Sequence, residues 1–225
     1  MSRDRHPSPK GPGPWPPRTD EDYRQEAVII LGEELATRFS RVRLMVFDAD
    51  GVLTPGNLVY GPQGEAFKEF HSHDGFGLVM GRVAGVKRAV LTGRNSEIVA
   101  RRCRELRFDA IKLGRFDKLA ALQEILAETG CEASETLYMG DDLIDLPAMY
   151  AVGVPVAVPD APTEVKEYSS YVTERVGGQG AVREVVDMVL KSSGLFTLAL
   201  ERLGDRTWQP SSSETSAGDV EDTVQ

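Results

Sequence analysis

The chain has 225 residues, of which 41% are hydrophobic, and a formal net charge of −9. This length suits one domain with a real core, and an acidic chain without a dense Lys/Arg run argues against a nucleic-acid partner. No apolar run approaches the roughly 18 residues that span a bilayer, so we expect no membrane partner. Cys103 and Cys131 match neither a CxxC site nor a disulfide framework, and the first residues lack a signal-peptide core, so we expect a cytoplasmic protein.

The two ends of the chain differ in composition from its middle. Residues 1–19 are rich in proline, glycine and charge, and residues 211–225 are rich in serine, threonine and acidic residues. Such compositions predict disordered tails. Between them we expect an N-terminal helix over 20–40, a main domain over 41–195 and a C-terminal helical extension over 196–210.

Apolar residues in the middle of the chain recur at two alternating periods, those of helix and of strand. Thr19 and Asp22 have the spacing of a helix N-terminal capping box, and Gly61-Pro62-Gln63-Gly64 suits the turn of a hairpin over 56–70. The predicted strands are 42–47, 88–91, 108–112, 136–139 and 154–158, and the predicted helices are 27–39, 74–83, 96–106, 118–129, 143–152 and 181–190. This alternation predicts an α/β fold with a Rossmann-like, doubly wound parallel sheet, whose ligands bind beyond the carboxyl ends of the strands.

The first predicted strand of the sheet ends in Asp48-Ala49-Asp50-Gly51. Carboxylates two residues apart leave an extended strand on the same side, where they repel each other unless a cation binds or one is protonated. The pair indicates a functional site, although aspartate is also common in ordinary turns.

Two other strand ends carry groups suited to a phosphate. The Thr92 hydroxyl and the Gly93 amide can both donate to a phosphate oxygen. Lys118 begins a predicted helix, where its charge opposes the helix dipole, and a bound anion would relieve that conflict. A simple Thr-Gly turn and a solvated surface lysine are the alternative interpretations.

The fourth strand end is Gly140-Asp141-Asp142, with Asp145 one turn further on. Adjacent carboxylates just beyond a strand form the hard-oxygen cluster that holds Mg²⁺. Aspartates that merely cap a helix are the competing interpretation.

In chain order, Asp-x-Asp, Thr, Lys and Asp-Asp resemble the four motifs of the haloacid dehalogenase superfamily over roughly residues 40–192. Four runs further resemble the 3-deoxy-D-manno-octulosonate (KDO) 8-phosphate phosphatases, namely 48–54, 56–70, 140–145 and 177–184. The resemblance implies a capless enzyme that forms a homotetramer through the 56–70 hairpin, with a neighbour's C-terminal segment closing the active site. The roughly 40 residues between Asp50 and Thr92 leave no room for a cap domain, as in that family.

The resemblance also implies roles in catalysis. Asp48 would be the nucleophile, and Asp50 would protonate the leaving group and then activate water. Thr92 and Lys118 would hold the phosphoryl group, with the Gly93 amide as a further donor.

A Mg²⁺ cofactor is implied as well. Asp48, the backbone carbonyl of Asp50 and Asp141 would hold the ion. Asp142, also counted among the metal-site residues, and Asp145 would orient the water molecules on the metal.

Substrate recognition is assigned to Lys68, Gly93, Arg94 and Arg183, the last one acting in a neighbour's site. Arg94 stands where phosphatases of nononate 9-phosphates typically carry Glu, which favours an octulosonate. His71-Ser72-His73 departs from the Asn-x-Arg that is more usual in the family.

Together these residues predict a Mg²⁺-dependent phosphomonoester hydrolase that acts through an aspartyl-phosphate on KDO 8-phosphate, in lipopolysaccharide biosynthesis. A phosphatase for another sugar-acid phosphate, such as a nononate 9-phosphate, is one alternative. A non-catalytic assembly domain is the other, but such a domain has no need of the full set of catalytic residues.

Overall fold

The structure is a computed structural model that describes residues 16–204. Most of the predicted N-terminal tail, the predicted tail over 211–225 and the last part of the predicted C-terminal extension lie outside the described residues. No helix within 16–204 is long and apolar enough to cross a membrane.

Two helices begin the described chain, α1 (Asp20–Leu31) and α2 (Glu33–Ser40). The capping box predicted at the start of α1 is present, because the Asp22 N–H donates to the Thr19 hydroxyl at 3.2 Å and the Thr19 N–H donates to the Asp22 carboxylate at 2.9 Å. Gly32 separates the helices with a φ of 77°, a conformation that favours glycine. This break corrects the prediction of one continuous helix over 20–40.

Eight strands follow within the described residues: β1 (Leu44–Phe47), β2 (Val59–Gly61), β3 (Gly64–Phe67), β4 (Lys87–Leu91), β5 (Ala110–Lys112), β6 (Thr136–Gly140), β7 (Val154–Ala157) and β8 (Tyr171–Val172). Six of them form a parallel sheet in the order β5-β4-β1-β6-β7-β8. Strands β2 and β3 form a separate antiparallel hairpin. The predicted parallel α/β sheet with a hairpin insertion is confirmed. Between β1 and Ser72, where the next α-helix begins, the hairpin is the only sheet structure.

Seven further helices cover this part of the chain: α3 (Ser72–Val83), α4 (Glu97–Glu105), α5 (Lys118–Thr129), α6 (Leu146–Met149), α7 (Thr163–Tyr168), α8 (Ala181–Ser192) and α9 (Phe196–Gly204). Helix α8 packs against α1, α2 and α3, whereas α5 packs against α6. The helix predicted over 143–152 is a 3₁₀ turn over Leu143–Asp145 followed by the short α6, which has a proline near its start. Helix α7 and strand β8 are too short for periodicity to predict.

The register of the sheet brings the polar strand ends together. Phe47 is paired with Val90 on one side and with Met139 on the other. The next residue, Asp48, therefore stands beside the last residues of β4 and β6, and the loops that begin at Thr92 and Asp141 start at the same edge.

Candidate active site

An open cleft of about 300 Å³ lies at the carboxyl edge of the sheet. Its lining includes most of the residues that the sequence singles out: Asp48, Asp50, Thr92, Gly93, Arg94, Lys118, Asp141 and Asp142. Leu58, Phe116 and Ile144 form an apolar rim. The cleft thus has an acidic floor with several cations beside it.

The floor is organised by a buried lysine. Lys118 is the first residue of α5, whose N-cap Asp117 accepts a hydrogen bond from the Ala120 N–H at 3.0 Å. The Lys118 Nζ lies 2.9 Å from Asp48 Oδ1 and 2.5 Å from Asp145 Oδ1. Burial lowers the pKa of this lysine, but the two carboxylates outweigh burial and raise the pKa above its usual value. Lys118 therefore carries its charge directly beside Asp48.

Asp48, Asp141 and Asp145 form a crowded group of carboxylates, which offer oxygen atoms within 4.8 Å of one another. Burial raises the pKa of Asp48, and the nearby Asp145 raises it further, while Lys118 acts in the opposite direction. Burial also raises the pKa of Asp141, and repulsion from Asp48 and Asp145 adds to that effect. Without a cation, this environment disfavours the simultaneous ionisation of all three carboxylates.

These carboxylates fit a divalent cation. Asp48 Oδ1 is buried and accepts no hydrogen bond of normal geometry from residues 16–204. The backbone at Gly51 approaches so closely that a Cβ there would lie 2.1 Å from Asp141 Oδ2. Hard oxygen ligands with excess negative charge are those that Mg²⁺ selects in proteins. Asp48 and Asp141 thus have the chemistry of a magnesium site.

Asp145 and Asp142 have different surroundings from those expected. The fully buried Asp145 uses both oxygens: Oδ1 accepts from Lys118 and, at 2.7 Å, from the Tyr138 hydroxyl, and Oδ2 accepts from the Asp141 and Asp142 N–H groups. Asp142 is exposed, and its side chain accepts from the Leu143 N–H at 2.7 Å. In the carboxylate group the structure therefore has Asp145, and not Asp142, beside Asp48 and Asp141.

The Asp50 carboxylate lies between two cations. Lys68, on the segment after β3, forms an ion pair with it, and the Arg94 Nε lies 3.7 Å from its Oδ2. The Lys68 side chain is only 1% exposed and also lies 3.1 Å from Glu65 Oε1. Arg94 in turn donates to the Tyr60 hydroxyl. The hairpin therefore contributes directly to the cleft of its own chain.

Thr92 and Gly93 follow β4 on the opposite side of Asp48 from β6. The Thr92 side chain is buried, and its Oγ1 accepts from the Arg94 N–H at 3.4 Å, which leaves its hydroxyl hydrogen available for another acceptor. Gly93 has no side chain, and its backbone lies close to the Phe116 ring. Both residues border the cleft as predicted donors should.

Comparisons with known proteins identify the family to which this chain belongs. A family model of haloacid dehalogenase-like hydrolases matches residues 89–185. The 3-deoxy-D-manno-octulosonate 8-phosphate phosphatase KdsC of Haemophilus influenzae is 41% identical over 157 residues, which cover 70% of this chain and 87% of that protein. The chain belongs to the KDO 8-phosphate phosphatase family. The resemblance inferred from its motifs is thereby confirmed, and the protein is a phosphatase.

Solved structures of similar proteins lead to the same family. The phosphatase from Yersinia pestis is 37% identical, has a TM-score of 0.71, and is matched over 73% of this chain and 89% of its own. The phosphatase from Moraxella catarrhalis, solved with a magnesium ion, a phosphate ion and KDO, is 36% identical with a TM-score of 0.72, over 76% and 98% of the two chains. Both likenesses cover nearly the whole of the related chain.

Arg183 lies apart from the phosphatase cleft. It belongs to the first turn of α8, and its Nε donates to Asp187 Oδ1 at 2.8 Å. It lines a separate groove of about 370 Å³ together with His73 and Arg175. Its predicted role in a neighbour's site, like the other assigned roles, stays a prediction.

Tyr60 and Glu65 were missed by sequence reasoning, although they contact the cations beside Asp50. They face each other across the hairpin, where Tyr60 is paired with Glu65. Glu65 also accepts a hydrogen bond from the Ser96 hydroxyl, which caps α4. Hairpin register was the available signal, because it places these two residues on one face.

Proposed function

We propose that this protein hydrolyses KDO 8-phosphate to KDO and inorganic phosphate in a Mg²⁺-dependent reaction. The observation that carries the proposal is the buried Asp48 carboxylate, which lies beside Lys118 and Asp141 on the floor of the cleft. Membership of the family named for this reaction supports the choice of substrate, and the Moraxella catarrhalis relative binds magnesium, phosphate and KDO.

Asp48 is the nucleophile in this proposal. One of its oxygens forms a bond to phosphorus while the bond between phosphorus and the C8 oxygen of the sugar breaks. Asp50 gives a proton to the departing C8 oxygen, so that KDO leaves as an alcohol. Asp50 then takes a proton from a water molecule, whose oxygen attacks phosphorus, releases phosphate and restores Asp48.

The phosphoryl oxygens are held by donors that surround Asp48. Lys118 supplies a fixed positive charge, and the Thr92 hydroxyl and Gly93 amide supply hydrogen bonds. Asp48, the backbone carbonyl of Asp50 and Asp141 would hold the Mg²⁺. Asp145 fixes the loop that carries Asp141, because it accepts from the Asp141 and Asp142 N–H groups. When bound, the ion neutralises charge on the phosphoryl group and on the carboxylates.

Lys68 and Arg94 are proposed to recognise the acidic sugar, because they place positive charge next to Asp50 at the wall of the cleft. A substrate carboxylate would compete with Asp50 for these cations. The negative charge of the whole protein makes such local cations necessary for binding an anion.

We further propose that the protein is a cytoplasmic homotetramer assembled through the hairpin, with Arg183 reaching a neighbour's cleft. Three large apolar side chains on or next to the hairpin support this assembly, since Leu58, Tyr60 and Phe67 are 46%, 61% and 51% exposed. Large apolar side chains that are exposed on one small hairpin indicate a contact surface. In the cell the reaction would serve lipopolysaccharide biosynthesis.

The test is phosphate release from KDO 8-phosphate, a nononate 9-phosphate and a simple sugar phosphate, each with Mg²⁺ or with EDTA. We expect Mg²⁺-dependent release that is fastest with KDO 8-phosphate and absent in Asp48→Asn. A variant that melts like the wild type excludes misfolding as the cause of its inactivity.

The other outcomes each reject part of the proposal. Faster turnover of the nononate ester would keep the chemistry and replace the substrate. A folded wild-type protein that binds Mg²⁺ but hydrolyses no ester would favour the assembly-domain alternative.

A further inference from the structure

Helix α8 begins without a capping side chain of its own. Its N-cap is Gly180, with a φ of 109°, so the first N–H groups of the helix need acceptors from elsewhere. Asp74, in the first turn of α3, supplies an acceptor for one of them and another for the N-cap: its carboxylate accepts from the Arg183 N–H at 2.8 Å and from the Gly180 N–H at 3.1 Å. Asp74 is 3% exposed and does not line the active-site cleft. A residue remote in sequence therefore fixes the start of α8.

The two helices are held close enough for this contact by a glycine. Asp74, Gly77 and Gly81 are spaced so that they share one face of α3. A Cβ at Gly77 would lie 2.8 Å from the Arg183 Cδ and 3.2 Å from its Cα. Such a close approach leaves the first turn of α8 little freedom to move relative to α3.

The turn that precedes α8 contacts the loop that carries Asp50. The Gly178 N–H donates to the Val52 carbonyl at 2.8 Å. A Cβ at Gly177 would lie 1.6 Å from the Gly51 carbonyl oxygen, and one at Gly178 would lie 2.4 Å from the Pro55 nitrogen. Backbone therefore packs directly on backbone, immediately after Asp50.

We propose that Asp74 is a positioning residue for the Asp50 loop. It anchors the start of α8, the 177–180 turn is thereby pressed against residues 51–55, and this contact holds Gly51 against Asp141 and sets the backbone at Asp50. The inference rests on the proposed function only in assigning Asp50 to proton transfer. A loop displaced by even about 1 Å misaligns that transfer and lowers the rate of the chemical step.

The test compares Asp74→Asn with Asp109→Asn. Asp109 directly precedes β5, at the amino ends of the strands and away from the cleft. Its Oδ2 likewise accepts a backbone N–H, from Arg88 at 2.8 Å, and it also pairs with the Arg88 guanidinium at 2.9 Å. Asparagine at 74 offers one acceptor oxygen where two are used. We expect Asp74→Asn to lower kcat for KDO 8-phosphate by about tenfold, with KM changed less than twofold, whereas Asp109→Asn lowers Tm and leaves kcat unchanged.

A second readout does not depend on activity. Hydrogen exchange measured by mass spectrometry should show faster exchange over residues 49–55 in Asp74→Asn than in Asp109→Asn. Gly178→Ala provides a second variant that acts on the turn itself, because its Cβ would lie 2.4 Å from the Pro55 nitrogen and its φ of 64° disfavours alanine. It should reproduce both effects if Asp74→Asn does not fold.

The results separate the two proposals. An inactive wild type rejects the proposed function, while faster exchange over 49–55 in Asp74→Asn still supports the anchoring role. If the wild type is active, and a folded Asp74→Asn has the kcat of the wild type and the same exchange over 49–55, the inference about Asp74 is overturned.

Discussion

The Asp145 carboxylate shows how much depends on a single residue of this site. It is fully buried and accepts four hydrogen bonds, from Lys118, Tyr138 and the N–H groups of Asp141 and Asp142. Buried charges are stable only when they are paired and hydrogen-bonded. Asp145 therefore fixes both the cation beside Asp48 and the loop that carries Asp141.

Replacement of Asp145 should destabilise the protein strongly. Asp145→Asn removes the charge beside Lys118 and turns an amide group toward donors, and breaking such a buried pair costs about 3–5 kcal/mol. Urea unfolding should show this loss. The matched variant Asp142→Asn changes an exposed cap in which asparagine serves equally well, so its free energy of unfolding should stay within about 0.5 kcal/mol of the wild type. Equal losses in the two variants would contradict the burial argument.

The crowded carboxylates lead to a prediction about the metal. Because burial and repulsion raise the pKa of Asp141, its ionised form costs stability in the metal-free protein. Asp141→Asn should therefore raise the metal-free Tm, by a few degrees for about 1 kcal/mol.

Magnesium should stabilise the wild type far more than it stabilises Asp141→Asn. In the wild type, Mg²⁺ at about 100 times its dissociation constant should add about 2.7 kcal/mol of stability, and in Asp141→Asn it should add little. Thermal melts in EDTA and in Mg²⁺ measure both effects. A metal-free Asp141→Asn that melts below the wild type would contradict the repulsion.

At the scale of the element, helix α5 begins with a charge that opposes its dipole. Lys118 is the first residue of the helix, and it is tolerated because Asp48 and Asp145 lie against its ammonium group. Asp117 satisfies the Ala120 N–H at the same end. The two carboxylates therefore hold the Lys118 ammonium group and offset its unfavourable position at the start of the helix.

Asp117 permits a test of this helix start. Asp117→Ala leaves the Ala120 N–H without its acceptor and should cost about 1 kcal/mol in the free energy of unfolding. Asp117→Asn keeps a side-chain acceptor and should unfold like the wild type. Both variants should retain kcat, since the carboxylates and not the cap hold the Lys118 ammonium group. Loss of activity in Asp117→Ala at a temperature where it is fully folded would show that the cap also places Lys118.

At the scale of the whole molecule, the proposed assembly concerns the exposed apolar residues of the hairpin. Phe67→Ser replaces one of them without touching the ion pairs around Asp50. If the hairpin forms the contact, light scattering should give about four times the 24.6 kDa of one chain for the wild type and a smaller mass for Phe67→Ser. Ile29→Ser is the control, because Ile29 is 83% exposed on α1, away from the hairpin. An unchanged mass in Phe67→Ser would argue against assembly through this surface.

Much of the fold could be predicted because the signals are local. Helical and strand periodicity and the Thr19–Asp22 capping box each act within a few residues. The break at Gly32 escaped prediction because the apolar pattern continues through it, and the short β8 forms only because it pairs with β7.

The sequence by itself determined the parallel sheet, the hairpin and the order of the polar strand ends, because burial periodicity and residue chemistry at a strand end are properties of short segments. Only the tertiary structure decided which partners these residues meet. Lys68 is paired with Asp50, Asp145 takes the place beside Lys118, and Asp74 caps a helix more than a hundred residues away. Such contacts depend on strand register and helix packing, and the spacing of residues along the chain does not encode them directly.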